Sequence, residues 1–127
     1  MKRAWLVFRA LYELARYEAI VWLRGSGSVL RQLSRLRPTA AQTDGQEVEQ
    51  AICEAVLLAT CLYWKPVLCL QRAVGTTRLL RMYGVWARVV IGYRPSPFFS
   101  HAWVEVEGRV VYGSAAYQTR LRVLHAV

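Results

Sequence analysis

Two side chains in this sequence have the types and surroundings that nucleophilic catalysis needs: Cys69 and His101. A thiol becomes a nucleophile when a base takes its proton, and the same base can return that proton to a leaving amine. Cys69 falls in the first turn of "PVLCLQRAVGTTRLLRM", residues 66–82, whose apolar spacing predicts a helix opened by Pro66. Unpaired backbone N–H groups and the helix dipole favour an anion at such a position. Arg72, one turn on, adds a positive charge that favours a thiolate. His101 opens "HAWVEVE", where His101, Trp103, Glu105 and Glu107 alternate with Ala102, Val104 and Val106. That alternation predicts a half-buried strand, and a histidine at its start can meet a helix N-terminus across a helix–sheet interface. Cys53 and Cys61 lie mid-helix among apolar residues and read as small buried hydrophobes.

The elements that must position this pair follow from periodicity and breakers. Residues 3–24 carry Leu6, Ala10, Leu14, Tyr17, Ile20 and Val21 near helical spacing, with Arg9, Glu13, Arg16 and Arg24 largely on other faces. Gly25-Ser26-Gly27-Ser28 ends that helix, and Ser28 can cap a short basic one over 29–36. The stretch 38–46, "PTAAQTDGQ", reads as a linker. A third helix is expected over 46–63, with Val48, Ile52, Ala55, Val56, Ala59 and Leu62 toward a core; Lys65-Pro66 breaks it. Gly84 suits the C-terminal cap of the Cys69 helix. Beyond it the period changes to that of strands: 85–93, then 101–107 and 109–113 as a hairpin about Glu107-Gly108. Residues 121–126 read as a short strand or a tail. Helices first and strands after give α+β, N-terminal helices followed by a nucleophile helix on a small antiparallel sheet. One domain over 1–127 is expected, with 1–65 as its helical part and 66–127 as catalytic helix and sheet.

Composition narrows the setting. The chain has 127 residues, 55% of them hydrophobic, and a formal charge of +9. That is enough for a real core, and the charge suits an acidic partner. The tryptophans are not grouped with arginine clusters, so nucleic acid ranks low as a partner. Three cysteines without a CxxC pair argue against a disulfide framework and for a reducing compartment, the cytoplasm. With only His101 and His125 to add to them, no metal site is expected. Charges interrupt residues 1–25 too often for a signal peptide or a spanning helix, and the uncharged run between Glu54 and Lys65 is too short to span a bilayer. Helix 3–24 carries Trp5, Phe8 and Trp22 among basic residues, so membrane-surface contact is a last-ranked reading.

Residues 69–113 closely resemble the B proteins of lasso-peptide biosynthesis, leader peptidases of the transglutaminase-like, papain-related cysteine protease fold. The matching pieces are Cys69-Leu70 with Arg72, Leu79-Leu80-Arg81 followed by Gly84, Ile91-Gly92, Pro97-Phe98, and His101-Ala102-Trp103-Val104-Glu105 with Gly108. Several of these in order are far more specific than one Cys/His pair. The first 65 residues match only as helices. The short length resembles the split form, in which a separate leader-recognition (PqqD-like) protein holds the precursor peptide.

The resemblance implies Cys69 as nucleophile, His101 as general base, the Cys69 backbone N–H as an oxyanion donor, and Trp103 packed over the imidazole. It implies no cofactor for cleavage, and an ATP-dependent cyclase acting next on the freed amine. The family carries an acid on the strand after the histidine; the position twelve residues on is Gly113 here. An orienting group must then come from elsewhere. Glu105 lies four residues along the same strand, about 13 Å away and too far for a direct bond to His101. Asp44, the sole aspartate, could approach if its loop folds over the sheet; the sequence has no asparagine. Gln118 could reach back as a neutral orienter, or water or a backbone carbonyl could serve. Two other functions fit the same residues: a transglutaminase-like acyltransferase, and a catalytically impaired peptide-binding module.

Overall fold

A computed structural model describes residues 3–38, 45–112 and 121–127. Four helices precede four strands: α1 (Arg3–Arg24), α2 (Ser26–Arg35), α3 (Gly45–Leu62), α4 (Cys69–Met82), β1 (Ala87–Pro95), β2 (Phe98–Val106), β3 (Arg109–Tyr112) and β4 (Arg122–Ala126). The strands form one antiparallel sheet in the order β3-β2-β1-β4. The α+β class expected from the sequence is therefore the observed one. Gln118, Gly113 and Asp44 lie outside the described residues.

Helix-spaced apolar residues build the main core, as the sequence predicts, with three corrections. Leu6, Ala10, Leu14, Ile52, Ala55, Val56, Ala59, Ala73, Val74, Leu79 and Leu80 are buried together. Leu62, at the last turn of α3, is instead exposed, as is Cys61 beside it. Glu13 is buried in α1 although its neighbours in charge are not, because Arg78 of α4 meets it at 2.5 Å. The short second helix begins earlier than 29: Gly25, at φ 85°, precedes it without a side-chain cap, and Ser28 is buried inside it.

The sheet carries a different set of residues on each face, as alternation requires. Ala87 and Val89 of β1 and Ala102, Val104 and Val106 of β2 join the helical core. Val90, Trp103 and Leu121 form a smaller cluster, with Phe99 and Val110 packed against it. The β2–β3 hairpin turns at Glu107 and Gly108, with φ of 54° and 79°. Two consecutive positive φ values match the twist of a tight hairpin, which is why a glycine stands at the second. Residues 122–126 form a strand, and it pairs with β1, so the chain's last strand is an edge. Val127 then exchanges both backbone hydrogen bonds with Val89, at 2.8 and 2.9 Å.

Candidate active site

Cys69 is the first residue of α4. The segment from Pro66 to Leu68 stays outside the helix, and Leu68 occupies the cap in extended conformation. The first bond of the helix runs from the Arg72 N–H to the Leu68 carbonyl at 3.0 Å. The N–H groups of Cys69, Leu70 and Gln71 thus precede the helical ladder and point toward its N-terminal end. Helix geometry supplies the anion-favouring environment at the thiol itself.

That first turn is anchored from two sides. Gln71 is buried, and its Nε2 donates to the Leu14 carbonyl of α1 at 2.9 Å. Glu18 accepts from the Tyr63 hydroxyl at 2.9 Å and pairs with Lys65, tying the connector before Cys69 to α1. Tyr17, buried on α1, sits within electrostatic reach of Cys69: burial, and then a negative charge at Cys69, raise its pKa above 10. Tyr17 reads as core from its spacing, and nothing in the sequence places it beside the thiol. Arg72 lies within electrostatic reach of Cys53, whose pKa is pushed up to about 11 by burial first and by Glu49 next.

His101 is the fourth residue of β2, paired with Gly92 of β1. Near the C-terminus of α4, Arg81 Nε donates to the Ala87 carbonyl at 2.8 Å, and Ala87 pairs with Val106. From that level, the twelve residues back to Cys69 rise about 18 Å along the helix. The five strand residues from Val106 back to His101 cover about 17 Å. The chain turns back from α4 into β1, and β2 is antiparallel to β1, so both runs lead away from the C-terminal end of α4. The side-chain face is a correction to the expectation of a meeting across the helix–sheet interface. His101 shares its face with Trp103, whereas Ala102, Val104 and Val106 face the helical core. Period-two alternation makes this unavoidable, since Ala102 is packed against the helices. His101 and the helical core therefore lie on opposite faces of β2.

The imidazole is half-buried, and burial lowers its pKa below 6.5. Its ring lies between those of Phe99 and Trp103, with centroids at 6.3 and 6.4 Å and planes tilted by 18° and 23°. Trp103 thus packs against the imidazole, and it is fully buried. Its indole Nε1 donates to Glu105 Oε2 at 2.8 Å, and Arg88 lies 3.5 Å from the other oxygen of that carboxylate. Glu105 is buried as well, so it does not simply face solvent. Among the described residues no group of three His, Cys, Asp or Glu side chains is placed to hold a metal ion. No helix among them is long and apolar enough to cross a membrane.

The model of the transglutaminase-like superfamily matches residues 11–126 of this chain. The chain belongs to that superfamily. A relative in Escherichia coli, the microcin J25-processing protein McjB, is 38% identical over 56 residues. That stretch is 44% of this chain and 27% of the E. coli protein, so the likeness covers about a quarter of the relative's length. Together these matches bear out the resemblance to the lasso-peptide B proteins and its transglutaminase-like fold. No solved structure matches the chain. Helices α2 to α4 and the four strands, with Cys69 and His101 among them, fall within the matched span.

Proposed function

We propose that this superfamily member is a cysteine peptidase that removes the leader from a ribosomally made lasso-peptide precursor. The observation that carries the reading is the position of Cys69 as the first residue of α4, where the unpaired N–H groups of the helix favour a thiolate. The likeness to a protein named for processing microcin J25 supports the peptide as substrate.

In this reading Cys69 Sγ attacks the carbonyl carbon of the scissile amide while His101 takes the thiol proton. The oxyanion forms against the N–H of Cys69, which no helical carbonyl occupies. His101 then protonates the leaving amine, the C–N bond breaks, and the leader is held as a thioester that water hydrolyses. Burial keeps His101 neutral near pH 7, the state in which it can accept that proton. A separate leader-recognition protein presents the precursor, the +9 charge favours an acidic partner surface, and an ATP-dependent cyclase consumes the freed amine, all in the cytoplasm where the precursor is made.

The test is the precursor peptide encoded beside this chain, incubated with the leader-recognition protein and either wild type or Cys69→Ala. Mass spectrometry should show leader and core only with wild type. A leader joined to an added amine instead of water would make the chain an acyltransferase, and an intact precursor in both reactions would leave it a binding module.

A further inference from the structure

Taking the proposed role of His101 as given, we infer that Glu105 is a positioning residue for the imidazole, acting through the indole of Trp103. Glu105 cannot reach His101 itself, but the indole spans the distance between them. Its N–H end is held by the carboxylate at 2.8 Å, and its ring stacks beside the imidazole. The six-membered edge runs over Gly92, the residue paired with His101 across β1 and β2. A Cβ at Gly92 would lie 2.6 Å from Trp103 Cη2 and 2.8 Å from Cζ3, with Leu121 Cβ at 2.9 Å on another side. Real side chains do not approach so closely, so a glycine is required for the indole to take this place. Leu121 and Val90 close the remaining sides of the slot.

A buried carboxylate is costly unless its oxygens are bonded. Glu105 is 5% exposed, and the indole N–H and Arg88 meet its two oxygens. The same bonds that make burial tolerable fix the ring plane of Trp103, and through stacking that of His101. On this face of β1 and β2 the charged side chains are Arg88, Glu105 and Arg94, and Arg94 lies over the Phe99 ring at 5.8 Å. The contact that joins Trp103 to His101 on this face is the stacking of their rings, with centroids 6.4 Å apart. A tryptophan two residues after a histidine is legible in the sequence; that its N–H turns to the glutamate two residues further on is not.

The experiment is proton NMR of the two histidines, with His125→Ala assigning the His101 Cε1–H. Glu105→Leu and Gly92→Ala should move that resonance and bring its titration midpoint back toward 6.5. Glu105→Gln keeps an oxygen that accepts from the indole and should leave both near the wild-type values. In parallel, in a Cys61→Ser background, alkylation of Cys69 should slow by about tenfold in Glu105→Leu and stay within about twofold of the unmutated Glu105 protein in Glu105→Gln. If Gly92→Ala fails to fold, Trp103→Phe, which removes only the N–H and part of the ring, must move the resonance instead. An unmoved His101 signal in folded Glu105→Leu would overturn the inference. So would Glu105→Gln shifting it as far as Glu105→Leu, since charge and not the indole bond would then be the cause. The NMR pattern is independent of peptide cleavage: an inactive protein with the expected shifts would sink the peptidase reading and leave the positioning intact.

Discussion

At the residue scale, the protonation state of His101 decides whether Cys69 can be activated. Burial opposes the charged imidazolium, so the folded-state pKa lies below 6.5. The acid limb of the kcat/KM profile for cleavage should accordingly fall below pH 6.5, not at or above it. The same shift has a thermodynamic consequence whose sign is fixed by linkage. Below about pH 6.5 the unfolded chain binds a proton that the folded chain still refuses, so stability falls as pH drops through that window and levels off once both are protonated. Urea denaturation at a series of pH values should show this extra loss in wild type and not in His101→Ala. Equal pH slopes for the two would mean that His101 is not desolvated. Cys53, pushed up to about 11, stays a thiol near neutrality, whereas the exposed Cys61 will react with any alkylating agent and must be replaced before Cys69 is measured.

At the element scale, α4 is the piece on which everything else is hung, and its seating is what the sequence showed least. Spacing identifies a helix and its apolar face, so Ala73, Val74, Leu79 and Leu80 were readable as core. Proline at 66 suggests the wrong first residue, because a favourable first-turn residue does not compel a helix to start there; the chain turns in at Leu68. Contacts between distant elements leave no local period at all. Glu13 looks like a surface charge in α1 and is 2% exposed, held by Arg78 at 2.5 Å with Arg9 at 4.0 Å. Removing one partner of such a buried pair leaves the other uncompensated, so Glu13→Ala should lose about 3 kcal/mol of stability in chemical denaturation. Lys65→Ala, which breaks the more exposed pair with Glu18, should lose no more than about 1 kcal/mol. If the two variants were equally stable, α1 would not be fastened to α4 through Glu13. Likewise the alternation of β2 was legible, but not which of its faces the helices cover. That choice was made by small apolar residues, Ala102, Val104 and Val106, which let α4 pack closely and turned His101 to the other side.

At the scale of the whole molecule, one buried cation joins the parts. Arg81 is 1% exposed, and its guanidinium donates to the carbonyls of Ala87, Leu33 and Leu36 and to the Val127 main-chain oxygen. The end of α2, the start of β1 and the strand pairing that follows β4 are thereby gathered on the last turn of α4, with Trp86 over the guanidinium at 4.7 Å. Arg81→Met keeps the bulk and leaves those oxygens without a donor, and should cost about 3 kcal/mol, read as a lower denaturation midpoint. The central claim is that Cys69 and His101 form a working pair although they sit on different layers of the fold. The most direct measurement is the rate at which iodoacetamide alkylates Cys69 near pH 7, in a Cys61→Ser background, with and without His101→Ala. Pairing predicts that loss of the imidazole slows the reaction by about tenfold or more. Equal rates in the two proteins would contradict it.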